Sequence, residues 1–470
     1  MASTRWERTV PVALLAVLSL LSVAPVRSYD LFWHLATGRW IFEHRALPAT
    51  DPFALASAPV QWINGEWLFQ LIAFGAEQIG GLDALSWMRA LVVGSIFAIG
   101  AGFAIRRSDL ASTVAVCCVC WAGAAVTLDA RPSAFGALLT VLAIVLAERR
   151  SAWAYLILTV VWINIHPSAL IAPVIAVLLS RRIAVVGASV AGLLINPYGL
   201  RGVIAPLELT SLVSSGEFVN AEWLPSSIAR FPLLYVAIAV AFVVIAKTDL
   251  PRQHVWRFLL LALFAFLAVR HVRNQNLFFA TFPLLVMPAF PRLDTRWRVV
   301  AGGVAAAALV VAAVTSPHGA GIPQGRFPAG SVAVLRAENL AGNIYNADQF
   351  GGYLIWSLYP ERRVLTDGRN ELHRAFITEL GRALANEREW RALLAKYRID
   401  LAVEEMRPPI PIVDAKTGQV RSSPASLAYW PRAEWALIGY DGTSMLFARR
   451  SAFSAATIER LEMRGFVPDR

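Results

Sequence analysis

The feature that most constrains the fold is a series of about eleven apolar runs between residues 10 and 315. A helix needs about 20 mostly apolar residues to cross a bilayer, and several of these runs are shorter, which predicts broken helices or ends lying farther out. The composition agrees, because 57% of residues are hydrophobic and only 16% are charged, against about 25% charged in soluble domains. We therefore predict a membrane all-α polytopic bundle with about eleven crossings and additional interfacial helices.

The charge divides the chain into two parts. Residues 316–470 carry 20 basic and 17 acidic side chains, whereas the preceding two thirds carry 23 basic and 15 acidic ones. We therefore predict a transmembrane domain at 1–315, with an outer loop at 27–83, and a soluble α/β domain at 316–470. The first apolar run could also be a removed signal peptide, although Pro25 directly after a small residue disfavours cleavage.

Basic residues at the ends of the apolar runs predict the orientation. If the N-terminus is cytoplasmic, the arginine pairs at 106–107, 149–150 and 181–182 all fall on the cytoplasmic side. The C-terminal domain is then extracytoplasmic, as in a multi-pass protein of a bacterial inner membrane. This count treats 67–80 as an interfacial or half-inserted helix, because the segment is short and contains Glu77.

The basic excess does not indicate nucleic-acid binding. The arginines lie at the ends of apolar runs rather than in a stripe with aromatic side chains, so membrane lipids are the expected partners. Cys117, Cys118 and Cys120 lie together in one apolar run and indicate core packing rather than disulfides or a closed metal site.

The C-terminal part shows alternating strand and helix patterns. Short strands are predicted at 342–346, 362–368 and 399–405, with helices at 350–359 and 375–397. A strand, an Asp-Gly turn and a second strand follow at 435–450, which is typical of a hairpin. No glycine-rich phosphate-binding motif is present.

The stretch "YDLFWHLATGRW" at 29–40 carries unusual polar residues directly after the first apolar run. Asp30 could cap a helix at 31–42 through its carboxylate. Alternatively, it could accept a proton from an attacking hydroxyl. His34 follows one turn later on the same face and could contribute to a divalent-cation site with Asp30, and Arg39 is a further cavity candidate.

Other polar residues collect at the same predicted outer face. Glu66 could cap the helix at 67–80, act as a second catalytic carboxylate or bind a divalent cation with Asp30 and His34. Arg131 could pair locally with Asp129, and His166 lies in the turn "NIHPS" as an interface or cavity residue.

The stretch "VRHVRNQN" at 269–276 is the strongest basic signal. Arg270, His271 and Arg273 lie at one predicted outer membrane edge, with Asn274 beside them as a cavity candidate. Guanidinium groups bind phosphate in bidentate fashion, although arginine side chains also extend to ordinary lipid headgroups.

Several motifs resemble the membrane glycosyltransferases of the GT-C superfamily, and more narrowly its uncharacterised bacterial multi-span members. The resemblance rests on "DLFWHLATGRWIFEH", "LPATDPF", "INGEWLFQ", "GGLDALSWMRAL", "NIHP", "NPYG", "GGYLIW" and "DGR", and covers roughly residues 10–450. It implies inverting transfer of a sugar from a polyprenyl-phosphate donor at the outer face of the membrane.

By this resemblance, Asp30 matches the first-loop acid that acts as general base, and Glu66 matches the Glu of an H-E-W-L motif. Arg270, His271 and Arg273 would then bind the donor phosphate. The chain departs from the pattern at Asn64-Gly65 and Pro167, and its first loop has no D-x-D motif, which argues against a metal-dependent mechanism.

The acceptor is open between a lipid, a glycan and a protein. Two other classes of function also use these features. A transporter or flippase of an anionic lipid-linked substrate predicts deeper polar groups and an internal repeat, and we find no clear repeat. A non-catalytic membrane scaffold predicts that Asp30 and Glu66 are dispensable.

Overall fold

The computed structural model describes residues 5–125, 127–214, 221–247, 252–413 and 420–467. The chain forms two compact units, each built from two separate segments. The first contains residues 1–28 and 63–322, and the second contains residues 29–62 and 323–470. The segment that follows the first apolar run therefore belongs to the same unit as the C-terminal part.

Helices are the only regular secondary structure among the described residues of the first unit. Its α-helices are α1 (Arg5–Leu21), α3 (Trp67–Ala104), α4 (Leu110–Ala125), α5 (Pro132–Arg149), α6 (Ala152–Ile163), α7 (Ala172–Ile175), α8 (Ile183–Leu194), α9 (Leu200–Ser214), α10 (Pro232–Lys247), α11 (Arg252–Arg270), α12 (Gln275–Val286) and α13 (Thr295–Thr315). Short 3₁₀ turns join several of them, among them Pro167–Ile171 and Val272–Asn274. Helix α1 packs along α3, α6 along α8, and α4 along α13.

By length and apolar composition, three of the described helices could span a membrane: α3, α5 and α13. Helix α13 exposes a run of valines, including Val310, Val311 and Val314, which would be unfavourable in water. Shorter apolar helices accompany these three. The predicted helical architecture of this part is thus confirmed, and the count of eleven crossings stays a prediction.

Helix α3 is two helices joined at a kink. Gly80 and Gly81 have non-helical backbone angles, and Gly81 has a φ of 64°, which favours glycine. The break coincides with the end of the apolar segment at 67–80. The boundary that the sequence predicts between this segment and the next apolar run lies at the same place.

The second unit begins with α2 (Leu31–His44) and continues at residue 323. Its remaining helices are α14 (Ala329–Ala337), α15 (Gly351–Leu358), α16 (Asn370–Ala385), α17 (Glu387–Lys396), α18 (Ala425–Tyr429) and α19 (Ala455–Leu461). Its strands are β1 (Asn343–Asn346), β2 (Ile399–Glu405), β3 (Ile410–Val413), β4 (Val420–Ser423), β5 (Trp435–Tyr440) and β6 (Ser444–Arg449).

Four strands form the central sheet in the order β1-β2-β6-β5. Strands β1 and β2 are parallel, and the other neighbours are antiparallel. Side chains alternate along β2, so Leu401 and Val403 enter one hydrophobic core while Ala402 enters another. The sheet is therefore covered on both faces.

Residues 29–62 contribute side chains to one of these two cores. Trp33, Phe53 and Trp62 are each at most 8% exposed and pack in the same cluster as Leu401. Burying a large apolar side chain contributes about 1.5–3 kcal/mol. The backbone reinforces the packing, because the Leu55 N–H donates to the carbonyl of Val364 at 2.9 Å.

Candidate functional site

Asp30 precedes α2 but does not cap it. Its backbone angles are helical, with φ −71° and ψ −26°, and its side chain makes no capping hydrogen bond. The capping interpretation of Asp30 is therefore wrong. The carboxylate instead lies beside Gly368, where its Oδ1 would be 3.0 Å from a Cβ atom added at that glycine.

Three helix starts meet around Asp30. A Cβ at Gly352, near the start of α15, would lie 2.8 Å from the carbonyl oxygen of Tyr29, so glycine permits the close approach of α15 to α2. The preceding Gly351 abuts the backbone of Asp367, three residues before α16 begins. The beginnings of α2, α15 and α16 thus place Asp30 near the turn at 367–369.

That turn carries a fully buried ion-pair network. Arg369 donates from Nε to Oδ1 of Asp367 at 2.7 Å and from Nη2 to both oxygens of Asp51 at 3.0 Å. All three side chains have no solvent exposure. The ring of Trp62 lies 4.6 Å from the guanidinium carbon. The network joins residues 51 and 369, which are 318 positions apart.

The lone pairs of the two carboxylates are almost all used. Asp51 also accepts from the Phe53 N–H at 3.0 Å and from the Ser57 hydroxyl. Asp367 accepts from the Arg369 N–H at 3.0 Å and from Nη2 at 2.5 Å. Because a carboxylate offers about four acceptor positions, Asp51 is saturated and Asp367 keeps one, which faces His373 Nε2 at 3.4 Å.

Asp51, Asp367 and His373 also have spacing compatible with a divalent cation. Their ligand atoms all lie within 4.8 Å of one another, and all three residues are buried. In the arrangement described, however, Arg369 already supplies the positive charge between the carboxylates. A cation bound at these atoms would have to displace the guanidinium.

Burial and nearby charges in this region shift the pKa values of two carboxyl groups in opposite directions. Burial opposes ionisation of Asp367, but the positive charges of Arg369 and His373 outweigh it and hold the pKa of Asp367 well below its usual range. Asp348 has a solvent-accessible side chain yet is surrounded by protein on most sides. That burial, followed by the negative charges of Asp367 and other neighbours, raises the pKa of Asp348 to about 6.

Asp348 predicts a pH dependence of local stability. Because its folded pKa is raised above the unfolded value near 3.8, the folded unit binds the proton more tightly, and its stability falls as the pH rises from about 4 towards 7. Asp348→Asn should flatten this decline. Amide exchange protection in β1 and β2, measured across this range, tests it, with exposed Glu387→Gln as the control; an unchanged decline in Asp348→Asn would contradict the assignment.

His34 and Arg39 lie on α2, the helix that Asp30 directly precedes. His34 is 2% exposed, and its ring packs 3.6 Å from the ring of Trp33. Arg39 lines a surface cavity of about 420 Å³, where its guanidinium lies 4.7 Å from the Trp356 ring and donates to the Tyr359 carbonyl at 3.1 Å. This cavity is not lined by Asp30, so the assignment of Arg39 to a cavity shared with Asp30 stays a prediction.

The other predicted residues belong to the first unit. Glu66 directly precedes α3, and its side chain makes no capping hydrogen bond either. Next to it, the Trp67 indole donates to the Asn164 side chain at 2.7 Å. Capping thus does not account for Glu66, and its other two interpretations stay predictions.

Arg131 and His166 both make contacts within the first unit. Arg131 pairs with Glu222 and donates to the Ser28 hydroxyl at 2.5 Å. The Nδ1 atom of His166 accepts from the Ser168 N–H at 3.1 Å, so His166 caps the short 3₁₀ turn that follows it. This favours the structural interpretation of His166.

The predicted phosphate-binding residues lie at and after the end of α11. Arg270 ends this helix and is exposed. His271 Nδ1 lies 2.7 Å from the Trp223 carbonyl oxygen, and the Arg273 guanidinium lies 4.9 Å from the Trp223 ring. Asn274 donates to the Leu267 carbonyl at 3.4 Å. The positive charge of Arg273 also acts on His166, so the fold brings these two predicted residues close together.

Sequence reasoning missed the charged residues at and around the turn at 367–369. Asp51, Asp348, Arg369 and His373 were not predicted, although "DPF" at 51–53 and "DGR" at 367–369 are part of the compared motifs. Tripeptides this short are too common to indicate a site by themselves. Their signal is spatial, because the two motifs meet only in the folded unit.

Comparison with solved structures identifies a shared fold. The chain is similar to the archaeal oligosaccharyltransferase AglB from Archaeoglobus fulgidus, solved in complex with an inhibitory peptide and a dolichol-phosphate. The TM-score is 0.55 at 10% identity, over 90% of this chain and 75% of that one. A crystal structure of the Archaeoglobus fulgidus oligosaccharyltransferase complex with Zn and sulfate matches with a TM-score of 0.53 at 11% identity, over 89% and 73% of the two chains.

No protein-family model matches the sequence, and no curated protein matches it either. At 10–11% identity the structural likeness concerns the fold alone. The chain therefore shares the fold of these archaeal oligosaccharyltransferase structures.

Proposed function

We propose that this protein transfers a sugar from a polyprenyl-phosphate-linked donor to a hydroxyl group of a lipid, glycan or protein acceptor. The acceptor oxygen attacks the anomeric carbon as the bond from that carbon to the phosphate oxygen breaks. The anomeric configuration inverts, and the polyprenyl phosphate leaves with the bonding electron pair. Asp30 takes the acceptor proton in the same step.

The position of Asp30 is the observation that carries this proposal. A carboxylate at a helix start normally accepts hydrogen bonds from the first turn, yet the Asp30 side chain does not. It lies instead beside a turn whose backbone is fixed by a fully buried ion-pair network. An acid held in this way is suited to general-base catalysis, since a base must be placed within hydrogen-bond reach of its proton.

The structural neighbour supports the class of donor. AglB is an oligosaccharyltransferase solved with a dolichol-phosphate, which is a lipid phosphate of the kind that such a donor releases. We extend this to a polyprenyl-phosphate sugar used at the outer face of a bacterial inner membrane. In this proposal the N-terminus is cytoplasmic and residues 316–470 are extracytoplasmic.

We assign donor-phosphate binding to the end of α11 and the turn after it. Arg270 is exposed at the helix end, and Arg273 stacks on Trp223, which leaves both guanidinium groups in the region of His271. Positive charge there would stabilise the phosphate as negative charge develops on the leaving oxygen. No step of this proposal uses a metal ion.

Arg270→Ala should weaken binding of the lipid-phosphate donor by about tenfold or more, because a charged hydrogen bond contributes about 1.5–3 kcal/mol. Donor titration against the purified protein in nanodiscs measures this. Arg182→Ala is the control, since Arg182 is also an exposed arginine at a helix end. Equal donor affinity in the Arg270 variant and the native protein would indicate contact with ordinary lipid headgroups only.

Reconstituted protein tests the reaction itself. Proteoliposomes supplied with polyprenyl-phosphate sugars should release polyprenyl phosphate only when an acceptor is present, and mass spectrometry of the lipids detects both species. Movement of the intact donor between leaflets without its cleavage would instead indicate a flippase. If the donor is neither cleaved nor moved between leaflets, the non-catalytic scaffold is the function that remains.

A further inference from the structure

Gly368 is a residue of the turn at 367–369 that lies beside the Asp30 carboxylate. A Cβ atom added at Gly368 would have one neighbour within 4 Å among the described residues, the Oδ1 atom of Asp30 at 3.0 Å. This is tighter than ordinary van der Waals contact. Any side chain at residue 368 would therefore push on the Asp30 carboxylate.

The turn itself cannot easily move away. On one side, Arg369 and Asp367 are tied to Asp51 in the buried network. On the other side, the Asn346 amide donates to the Thr366 carbonyl at 2.9 Å, and its oxygen accepts from the Leu365 N–H at 2.9 Å. Residues before and after Gly368 are thus anchored to different segments.

The loop that carries Asp51 is anchored as well. Val364 donates to the Phe53 carbonyl at 3.1 Å, and the Ala56 N–H donates to the Leu365 carbonyl at 3.2 Å. The Ser57 hydroxyl donates to the remaining oxygen of Asp51. The 51–57 loop and the 364–369 segment therefore behave as one framework within the second unit.

We propose that this framework is a positioning element for Asp30. The Arg369 guanidinium holds Asp51 and Asp367 together, this fixes the backbone of Gly368, and Gly368 sets the position of the Asp30 carboxylate. The inference rests on the proposed function, because it concerns the placement of the general base. It assigns Gly368 and Arg369 positioning roles, without contact between either residue and the substrate.

The size of the effect follows from the geometry of proton transfer. A base acts over about 2.6–3.2 Å, and a displacement of about 1 Å can reduce the rate about 100-fold. A methyl group at residue 368 would displace the carboxylate by less than this. The expected loss in kcat is therefore about 10- to 100-fold.

The test compares Gly368→Ala with Gly381→Ala in the full-length protein reconstituted in proteoliposomes. Gly381 has no neighbour within 4 Å of an added Cβ and lies exposed in α16, so its variant should keep native kcat. Gly368→Ala should lower kcat with an unchanged donor KM. Its pH–rate profile should also shift, because the environment of the base has changed.

Two results separate this inference from the proposed function. Native kcat and a native pH profile in Gly368→Ala, alongside an inactive Asp30→Asn, would overturn the positioning role and leave the general base in place. A fully active Asp30→Asn would overturn the proposed function itself. Amide exchange in β1 and β2 checks that Gly368→Ala is folded.

If Gly368→Ala unfolds this unit, Ser57→Ala provides the second variant. It removes one hydrogen bond to Asp51 and leaves the Arg369 bonds to Asp51 in place, so the fold should survive. We expect kcat to fall several-fold with the same shift in the pH profile. An unchanged kcat in Ser57→Ala would overturn the inference.

Discussion

Asp30→Asn should lower the rate of sugar transfer by about 10²- to 10⁴-fold, the range that general-base catalysis contributes. Asparagine has nearly the same shape as aspartate but cannot accept the acceptor proton. Because the Asp30 side chain does not cap α2, the substitution should leave the helix and the binding of the donor intact. Release of polyprenyl phosphate and donor affinity are both measured on the same preparation.

The matched control is Asp294→Asn. Asp294 also precedes a helix, but its side chain accepts a hydrogen bond from the Trp297 N–H and so acts as a true cap. Asparagine preserves such a cap, and activity should be native. Native transfer by Asp30→Asn would contradict the general-base assignment, and loss of donor binding would indicate a structural role.

Arg369→Met should destabilise the second unit by about 3–5 kcal/mol, the usual result of breaking a buried ion pair by removing one partner. The substitution leaves Asp51 and Asp367 buried without their common cation. Amide exchange in β1 and β2 of the full-length protein in detergent measures the local opening free energy. Arg388→Met is the control, because Arg388 is exposed on α17.

The pH dependence of this variant gives a second signature. In the native protein the pKa of Asp367 is lowered, which stabilises the fold at pH values above the pKa of this group in the unfolded chain. This contribution is lost as the pH falls. Without Arg369, burial would instead raise the pKa of the same carboxyl, so stability should increase as the pH falls. An unchanged acid dependence would contradict the network.

A further substitution distinguishes an internal arginine from a bound metal. Combining Arg369→Met with Asp51→Asn and Asp367→Asn removes all three buried charges and should recover part of the lost stability. If Arg369→Met is instead stabilised by added Zn²⁺ and destabilised by a chelator, the carboxylates hold a metal once the guanidinium is gone.

Local patterns in the sequence predicted several elements of the second unit well. The predicted helix at 31–42 is α2, the predicted strand at 399–405 is β2, and the hairpin at 435–450 is formed by β5 and β6. In each case the residues that define the element are adjacent in the sequence. Alternation, helical periodicity and an Asp-Gly turn are local signals, so the single sequence was sufficient.

Two predictions failed because a local pattern was overridden by a specific side chain. The helix predicted at 375–397 is interrupted at Asn386, whose side chain caps α17 by accepting from the N–H groups of Arg388 and Glu389. The strand predicted at 362–368 is reduced to one bridge between Val364 and Ala54. Its last residues are instead held by the ion pairs of Asp367 and Arg369.

The candidate site was only partly accessible to sequence reasoning. Asp30 was predicted because an acid directly after an apolar run is unusual in itself. Asp51 and Arg369 are ordinary residues in their local sequence, and they gain significance only from a contact across 318 positions. Burial and ion pairing at that separation are properties of the fold, which one sequence without its structure does not reveal.

Because the second unit is formed by two separate segments, the number of membrane crossings between those segments is restricted to even values. Residues 29–62 and 323–470 form one compact body, and such a body cannot lie on opposite faces of a bilayer. If the intervening chain at 63–322 crosses a bilayer as predicted, it must return to the face that it left, and its number of traverses must then be even. The ten predicted after residue 63 satisfy this rule, and counting 67–80 as one more would break it.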